Sequence, residues 1–286
     1  MANSQRKRAR TSTGCFRKRS RLERLKLTIL GCGSSGGVPR LGGIWGNCDS
    51  SNPKNYRRRC SLLVERFSEG GVTRVLIDSS PDLRSQLLDA GVGHLDAAAY
   101  THAHADHVNG LDDLRMVFHI RGSRLPVWAD EPTRESLLKR FSYAFIQSEG
   151  SQYPPILELN ELEGPFVVEG GGGSLELSPF QVVHGSISSK GFRFGNIAYL
   201  PDVSEMLPES WRAVDGLDCW IVDALQRNPH PSHAHLDMTL NWISRANPRR
   251  AILTNMHIDL DYETVRRETP TNVEPAYDGM TVESAA

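Results

Sequence analysis

The chain has 286 residues, of which 39% are hydrophobic and 23% are charged, and its formal net charge is −1. These values are close to those of an average globular domain. The longest apolar stretches are strand-sized, such as residues 75–77, whereas a membrane span needs roughly 18 apolar residues. We therefore expect a soluble protein and exclude a membrane as its partner.

The small net charge hides a basic N-terminus and an acidic remainder. Residues 1–26 hold ten of the 33 basic residues but only one of the 34 acids, Glu23, so residues 27–286 have a net charge of about −10. Such an acidic body argues against nonspecific nucleic-acid binding and leaves the tail as the candidate for any such contact. We interpret residues 1–24 as a disordered basic tail, with an organelle transit peptide, a nuclear address or an upstream start codon as alternatives.

Five cysteines are spread along the chain without a CxxC pair: Cys15, Cys32, Cys48, Cys60 and Cys219. An odd number of cysteines without a secretory signal favours free thiols in a reducing compartment over a disulfide framework. The expected location is therefore cytoplasmic, unless the basic tail is an organelle or nuclear signal.

The first half reads as strands interspersed with helices. An alternating strand at 25–30 leads into a glycine-rich turn at 31–37, and because no helix follows, a dinucleotide-binding loop is not indicated. Strands are predicted at 61–64, 74–78 and 96–100. Between the last two, a helix is predicted from Ser80 and Pro81 to Gly91, with Leu83, Leu87 and Leu88 as its buried face. A second helix is predicted by the spacing of Leu111, Leu114, Val117 and Phe118.

The second half continues in the same style. Strands are predicted at 175–183, 191–200, 219–222 and 251–254, and a helix by the spacing of Leu236, Leu240 and Ile243. Because the composition does not break after residue 27, residues 25–286 are predicted to form one α/β domain.

Three histidines and an aspartate cluster directly after the strand at 96–100. His102 and His104 lie two residues apart, so on an extended backbone their imidazoles point to the same side. Asp106 and His107 follow where the chain turns toward a helix, and adjacent side chains there diverge. One segment thus offers two pairs of ligands, which indicates two metal ions. Imidazole with carboxylate favours zinc and tolerates manganese or iron.

A two-metal site needs further ligands, and three candidates follow later strands. His184 follows the strand at 175–183, Asp202 follows the strand at 191–200, and His257 follows the strand at 251–254. Loops at strand ends gather on one rim of a sheet, so these side chains are expected to meet the first motif there.

This series of residues resembles the metallo-β-lactamase superfamily across residues 27–286. The glycine loop at 31–39, the segment 56–61 and the segment 278–280 are most similar to the phosphoribosyl cyclic phosphodiesterase of the carbon–phosphorus lyase pathway. The resemblance implies a four-layer αββα sandwich with two divalent ions, zinc or manganese. It assigns His102, His104 and His184 to one ion and Asp106, His107 and His257 to the other, with Asp202 bridging both.

The resemblance also implies supporting residues. Asp78 would orient a ligand histidine, and His235 would protonate a leaving oxygen, with His233 as the alternative. Asp106, besides being a metal ligand, is predicted to be a catalytic residue together with His235. The usual pattern has a histidine directly after Thr254, where this chain has Asn255. We favour His257 as the displaced ligand, because an imidazole binds zinc better than an amide does.

The expected function is hydrolysis of phosphodiesters, with small or cyclic ribose phosphodiesters as substrates and a metal-bridging hydroxide as nucleophile. Arg57, Arg58 or Arg59 could clamp the phosphate. A tRNA-processing nuclease and a thioester or lactam hydrolase of the same superfamily are alternatives. A cofactor-biosynthesis oxidoreductase or carrier, or a non-catalytic metal-binding protein, would be a different class of function. A homodimer is a family-based expectation.

Overall fold

A computed structural model describes residues 23–285. The assignment of residues 1–24 to a tail therefore falls outside the described residues except at Glu23 and Arg24, and Arg24 is already the first residue of a strand. Within residues 23–285, no helix has the length and apolar composition needed to cross a membrane.

The described residues form fourteen strands, six α-helices and three 3-10 turns. The strands are β1 (Arg24–Gly31), β2 (Ser61–Ser68), β3 (Gly71–Ile77), β4 (Ala97–Ala99), β5 (Leu125–Ala129), β6 (Leu157–Glu161), β7 (Phe166–Val168), β8 (Leu175–His184), β9 (Ile187–Phe194), β10 (Ile197–Leu200), β11 (Cys219–Asp223), β12 (Arg250–Thr254), β13 (Val273–Pro275) and β14 (Thr281–Ala285). The helices are α1 (Leu83–Asp89), α2 (Ala105–Val108), α3 (Leu114–Arg121), α4 (Glu131–Phe145), α5 (Leu236–Ala246) and α6 (Tyr262–Glu268). The 3-10 turns are Pro53–Asn55, Leu111–Asp113 and Pro208–Val214.

Two seven-stranded mixed sheets share one plan. The first has the strand order β14-β1-β2-β3-β4-β5-β6, and the second has the order β13-β12-β11-β10-β9-β8-β7. In each sheet one half is antiparallel and the other parallel: the pairs from β14 to β3 and from β10 to β7 are antiparallel, whereas those from β3 to β6 and from β13 to β10 are parallel. Helices flank both sheets, which confirms the αββα sandwich.

Alternation along the strands divides the core. In β1, Leu25, Leu27 and Ile29 belong to the large cluster that contains the strands of both sheets, whereas Leu30 belongs to a second cluster under helices α1, α3 and α4. Successive strand residues point to opposite faces, so one strand supplies both clusters. Helices α5 and α6 add their own apolar side chains to the large cluster.

Helix α1 is shorter than predicted. It begins at Leu83 with Asp82 at the N-cap, and Ser80 instead accepts a hydrogen bond from the Asp82 N–H at 3.2 Å. Leu88 is 63% exposed, so its prediction as a buried residue was wrong. Because the helix has only seven residues, Leu83, Gln86 and Leu87 already fill its buried face.

The four described cysteines, Cys32, Cys48, Cys60 and Cys219, are free and buried. Burial raises the pKa of the Cys219 thiol to about 12, so this sulfur stays protonated and unreactive at neutral pH. Free thiols were the prediction from the sequence.

Asp278 ties the end of the chain to the glycine loop and to Arg58. Its Oδ1 accepts from the Cys32 N–H at 3.2 Å, and its Oδ2 accepts from the N–H and Nε of Arg58 at 2.9 and 3.0 Å. We expect Asp278→Asn to lower the free energy of unfolding by about 2–3 kcal/mol, because an amide NH2 would face N–H donors and leave Arg58 without its buried partner. Denaturant titration measures this loss.

Asp89→Asn is the matched control for Asp278. The Asp89 carboxylate also contacts Arg58, at 2.7 Å, but its side chain is 69% exposed. Its replacement is expected to cost at most about 1 kcal/mol, since surface ion pairs contribute little. Equal losses in the two variants would contradict the assignment of Asp278 as the main anchor.

Candidate metal centre

The candidate ligands lie at one edge of the sandwich, where strands from both sheets end. His102 and His104 lie in the loop between β4 and α2, and Asp106 and His107 lie in the single turn of α2. The ligands from the second sheet also follow strand ends: His184 is the last residue of β8, and Asp202 follows β10 by two residues. The carboxyl ends of strands in α/β sheets commonly form ligand sites, because their loops gather at one edge.

Three imidazoles and one carboxylate form a compact cluster. One ligand atom each from His102, His104, His184 and Asp202 lie within 4.8 Å of one another. The Nε2 of His184 is 3.1 Å from Nδ1 of His104. The Oδ2 atom of Asp202 lies 3.5 Å from Nε2 of His184 and 3.7 Å from Nε2 of His102. The structure thus brings together the residues expected to hold the first ion.

The other carboxylate oxygen of Asp202 faces a second group. Its Oδ1 atom is 3.2 Å from Nε2 of His107, and that nitrogen is 3.5 Å from Oδ2 of Asp106. Asp202 therefore lies between the two groups, in the place expected of a bridging ligand.

Two buried nitrogen atoms test whether these residues fit a cation. The Nε2 atoms of His102 and His107 are buried, yet neither has a hydrogen-bond partner among residues 23–285. Burial, together with the neighbouring His107, lowers the pKa of His102 well below its usual value, so its imidazole is neutral. A buried polar atom without a partner is costly, and a neutral imidazole is a metal ligand. The residues fit divalent cations.

Asp78 holds His107 in one orientation. Its Oδ2 accepts a hydrogen bond from Nδ1 of His107 at 2.8 Å and another from Oγ1 of Thr101 at 2.8 Å, and its Oδ1 accepts from the Thr101 N–H at 2.8 Å. A proton on Nδ1 would leave Nε2, the atom that faces Asp202, as the atom of His107 that binds a cation. Carboxylate–histidine pairs of this kind fix the tautomer of a ligand. This is the position that the resemblance implied for Asp78.

We expect Asp78→Asn to weaken zinc binding by about 10–100-fold, because an amide no longer favours the Nδ1–H form of His107. The zinc affinity is measured by titrating the metal-free protein with Zn²⁺ in competition with a chromophoric chelator. Asp130→Asn is the control: Asp130 caps helix α4, a position where asparagine is equally suitable. Unchanged zinc affinity in Asp78→Asn would show that Asp78 does not act through the ligand.

The structure places Asn255, not His257, beside Asp202. The Nδ2 of Asn255 donates to the carbonyl of Pro201 at 3.0 Å and to Oδ1 of Asp202 at 3.2 Å. Asn255 has a φ of 59°, a left-handed conformation that turns the chain directly after β12. The imidazole of His257 contacts Asp259 at 3.2 Å and the guanidinium of Arg40. His257 lines the same cavity but contacts none of the other ligand candidates.

His233, rather than His235, reaches the centre. Its Nδ1 lies 2.9 Å from Oδ2 of Asp223 and 4.0 Å from Oδ2 of Asp202. Burial opposes protonation of His233, but Asp223 and then Asp202 outweigh it and raise the pKa of His233. His235 is the N-cap residue of α5 and does not line the cavity. Two residues along an irregular loop point to different sides, so the alternative candidate, His233, is the one whose side chain lines the cavity.

The three consecutive arginines, predicted as candidates to clamp a phosphate, do not converge on one point. Arg57 is buried and donates to Asn55 and to the carbonyl of Leu260. Arg58 pairs with Asp278 and Asp89, and Arg59 pairs with Asp82 at 3.0 Å. Their side chains diverge because consecutive residues of an extended segment point in different directions. None of the three lines the cavity of the centre.

The cavity above the centre has a volume of about 440 Å³. Four of the candidate ligands line it, and the rest of its lining includes Arg40, His230, His233, Asn255 and His257; the four are His104, Asp106, His184 and Asp202. A second cavity of about 620 Å³ adjoins it, shares Arg40 and Asp106 in its lining and is also bordered by Leu41, Ile44 and Arg59. Arg40 and Asp223 were missed by the sequence analysis. Asp223 could have been found as an acid that ends an apolar strand, whereas a lone arginine after the glycine loop gives no signal.

The chain is similar to a known protein family and to solved structures. A sequence model of the beta-lactamase superfamily domain matches residues 73–258. A solved structure described as a new diphosphatase from the PhnP family is 35% identical, with a TM-score of 0.80, and the match covers 91% of this chain and 97% of that one. The αββα sandwich and this likeness agree with the resemblance found in the sequence.

Two curated proteins are also similar. An octanoyltransferase of Porphyromonas gingivalis is 32% identical over 263 residues, which cover 90% of this chain but 51% of that protein. This chain therefore spans about half the length of that relative. A coenzyme PQQ synthesis protein B of Pseudomonas putida is 24% identical over 318 residues, covering 90% of this chain and 99% of the relative.

Proposed function

This chain belongs to the beta-lactamase superfamily, and from that premise we propose that it is a metal-dependent hydrolase that cleaves phosphodiester bonds in small substrates. The observation that carries the proposal is the arrangement around Asp202. Its two carboxylate oxygens face two separate groups of metal-ligand side chains at the floor of an open cavity. Centres that hold two cations recur in enzymes that hydrolyse phosphate esters, and these side chains would hold two.

The charges of the cavity support an anionic substrate. When bound, the cations would lower the pKa of a water molecule and polarise a phosphoryl oxygen. Arg40 adds a guanidinium at the wall, and Arg59 adds another in the adjoining cavity. Guanidinium groups bind phosphoryl oxygens in a bidentate manner. A cavity of about 440 Å³ suits a small molecule better than a folded RNA.

The side chains of the centre would bind the cations and donate a proton to the leaving group. His102, His104 and His184 would hold one cation, and His107 and Asp106 the other, with Asp202 between them. His233 would donate its proton to the departing alkoxide, because its contact with Asp223 keeps it protonated and oriented. Asp223 is itself held by the Val203 N–H at 3.1 Å, so the pair is rigid.

A diphosphate is the second candidate substrate. The similar structure is described as a diphosphatase, and Arg40 and Arg59 line two adjoining cavities, where two neighbouring phosphoryl groups could each meet a guanidinium. The attack on phosphorus and the protonation of a leaving oxygen would be the same for both substrates, except that the leaving oxygen belongs to a phosphate.

A substrate panel tests the proposal. We expect the purified protein to hydrolyse bis(p-nitrophenyl) phosphate and a ribose cyclic phosphodiester, to lose this activity on chelation, and to regain it with added Zn²⁺ or Mn²⁺. A dinucleoside diphosphate, a β-lactam and an octanoyl thioester complete the panel. Rapid turnover of the thioester or lactam, with phosphate substrates at background, would contradict the proposal. Preference for the diphosphate would select the second candidate.

A further inference from the structure

We propose that the centre binds two different metals: Zn²⁺ at the position formed by His102, His104 and His184, and a harder, oxygen-preferring cation such as Mn²⁺ at the position formed by Asp106 and His107. The inference rests on the proposed function only in that it takes both positions to bind cations. It follows from the unequal donors that the chain supplies on the two sides of Asp202.

The first position is rich in nitrogen. Three imidazoles surround Oδ2 of Asp202, and the ring centroids of His102 and His104 are 4.6 Å apart, with those of His104 and His184 4.9 Å apart. Three imidazoles with one carboxylate form a four-donor set of the kind that zinc prefers.

The second position is rich in oxygen. Its nitrogen donor is Nε2 of His107, and the carboxylates of Asp106 and Asp202 lie 3.5 and 3.2 Å from that atom. Carboxylates and carbonyls suit manganese and magnesium better than they suit zinc, whereas imidazoles shift the preference toward zinc. One imidazole among oxygen donors therefore favours a harder cation here.

Asn255 is the reason for this difference. It is 2% exposed, it follows β12 directly, and its side-chain amide lies against Oδ1 of Asp202, the oxygen that faces the second position. Its hydrogen bond to the Pro201 carbonyl and its left-handed backbone fix it there. Whichever amide atom faces the cation, Asn255 offers an oxygen or a hydrogen-bond donor and no imidazole.

His257 does not replace the missing imidazole. Its backbone N–H donates to the carbonyl of Leu225 at 2.8 Å, which anchors it two residues beyond Asn255. Its ring lies between Asp259 and the guanidinium of Arg40. A cation bound to this ring would lie beside a fixed positive charge, which opposes binding.

Metal competition tests the inference without measuring activity. The metal-free full-length protein is equilibrated with two molar equivalents of Zn²⁺ and a large excess of Mn²⁺, because zinc otherwise binds more tightly than manganese to most nitrogen and oxygen sites. Bound Mn²⁺ is detected by electron paramagnetic resonance in the equilibrated sample, and tightly bound zinc is measured by mass spectrometry after desalting. We expect about one tightly bound zinc per chain, together with manganese that is detected as bound and that exchanges readily.

Two variants sharpen the test. Asn255→His supplies the missing imidazole and is expected to bind a second zinc at least about tenfold more tightly than the original chain does and to exclude manganese. His257→Ala is expected to leave the zinc and manganese contents unchanged. Two zinc ions of equal affinity in the original chain, one of them lost in His257→Ala, would overturn the inference. If Asn255→His fails to fold, the competition in the original chain decides alone.

The outcomes also separate this inference from the proposed function. A protein that binds neither metal would overturn both. Two equal zinc ions together with phosphodiester hydrolysis would overturn the mixed-metal centre and leave the proposed function standing.

Discussion

Replacing Asp202 by alanine is expected to lower kcat/KM for bis(p-nitrophenyl) phosphate by about 10³-fold or more and to release at least one of the two cations. Asp202 is the carboxylate that faces both groups of ligands, through Oδ2 toward His102 and His184 and through Oδ1 toward His107. Its loss removes a donor from both cation positions at once. Steady-state kinetics and metal analysis of the same preparation measure the two effects.

Asp218→Ala is the control for Asp202. Asp218 is an exposed carboxylate that pairs with the exposed Arg249, away from the cavity. This variant should keep both cations and its activity, since surface ion pairs contribute little to stability. Circular dichroism establishes that both variants are folded. If folded Asp202→Ala retained both cations and full activity, the centre described here would not be the site of hydrolysis.

Replacing His233 by asparagine is expected to lower kcat by about 10²–10⁴-fold for a substrate with an alkoxide leaving group, while the metal content stays constant. The reason is that His233 lies 2.9 Å from Asp223 and 4.0 Å from Asp202, where it can protonate a departing oxygen. A p-nitrophenolate leaves readily without a proton, so the loss with bis(p-nitrophenyl) phosphate should be much smaller. Comparison of the two leaving groups separates proton donation from a merely structural effect.

His235→Asn distinguishes the two histidines of this loop. Its side chain lies outside the cavity, and asparagine is a favourable N-cap for helix α5, so kcat should change by no more than about twofold. A large loss in His235→Asn with normal activity in His233→Asn would restore the assignment that the sequence suggested.

The clustering of the candidate ligands could be predicted because it depends on local geometry. His102, His104, His184 and Asp202 each follow an apolar strand closely, and chain ends of this kind gather at one edge of a sheet regardless of the details of packing. The αββα sandwich followed from the resemblance that these residues carry.

The sequence could not predict the placement of a side chain whose direction depends on distant contacts. The choice between Asn255 and His257 turned on one left-handed residue after β12, and the choice between His233 and His235 on the partner Asp223, ten residues before His233. The arginines at 57–59 look like one basic patch in the sequence. Their partners come from helix α1 and its cap, from Leu260 and from Asp278, three separate segments of the chain that no local pattern reveals.

The segment that contains β5, α4 and β6 was not predicted from the sequence. Its signal was present: Asp130 accepts a hydrogen bond from the Thr133 N–H as the N-cap, with Pro132 in the first turn. The apolar residues that follow do not form a clear stripe, because the helix changes direction at Phe141. The N-cap residue and the proline therefore indicate this helix better than the spacing of its apolar residues does.

The candidate metal centre is built from both sheets, so metal binding would stabilise the folded protein. Asp78 and the residues at 102–107 follow strands of the first sheet, whereas His184, Asp202 and Asn255 follow strands of the second. A cation bound by residues of both groups would link the two sheets at this edge of the sandwich. Binding at a thousandfold excess over its dissociation constant would add about 4 kcal/mol to the free energy of unfolding. The unfolding temperature of this protein would then rise with the concentration of available metal, and removal of the metal would weaken the contact between the two sheets at this edge.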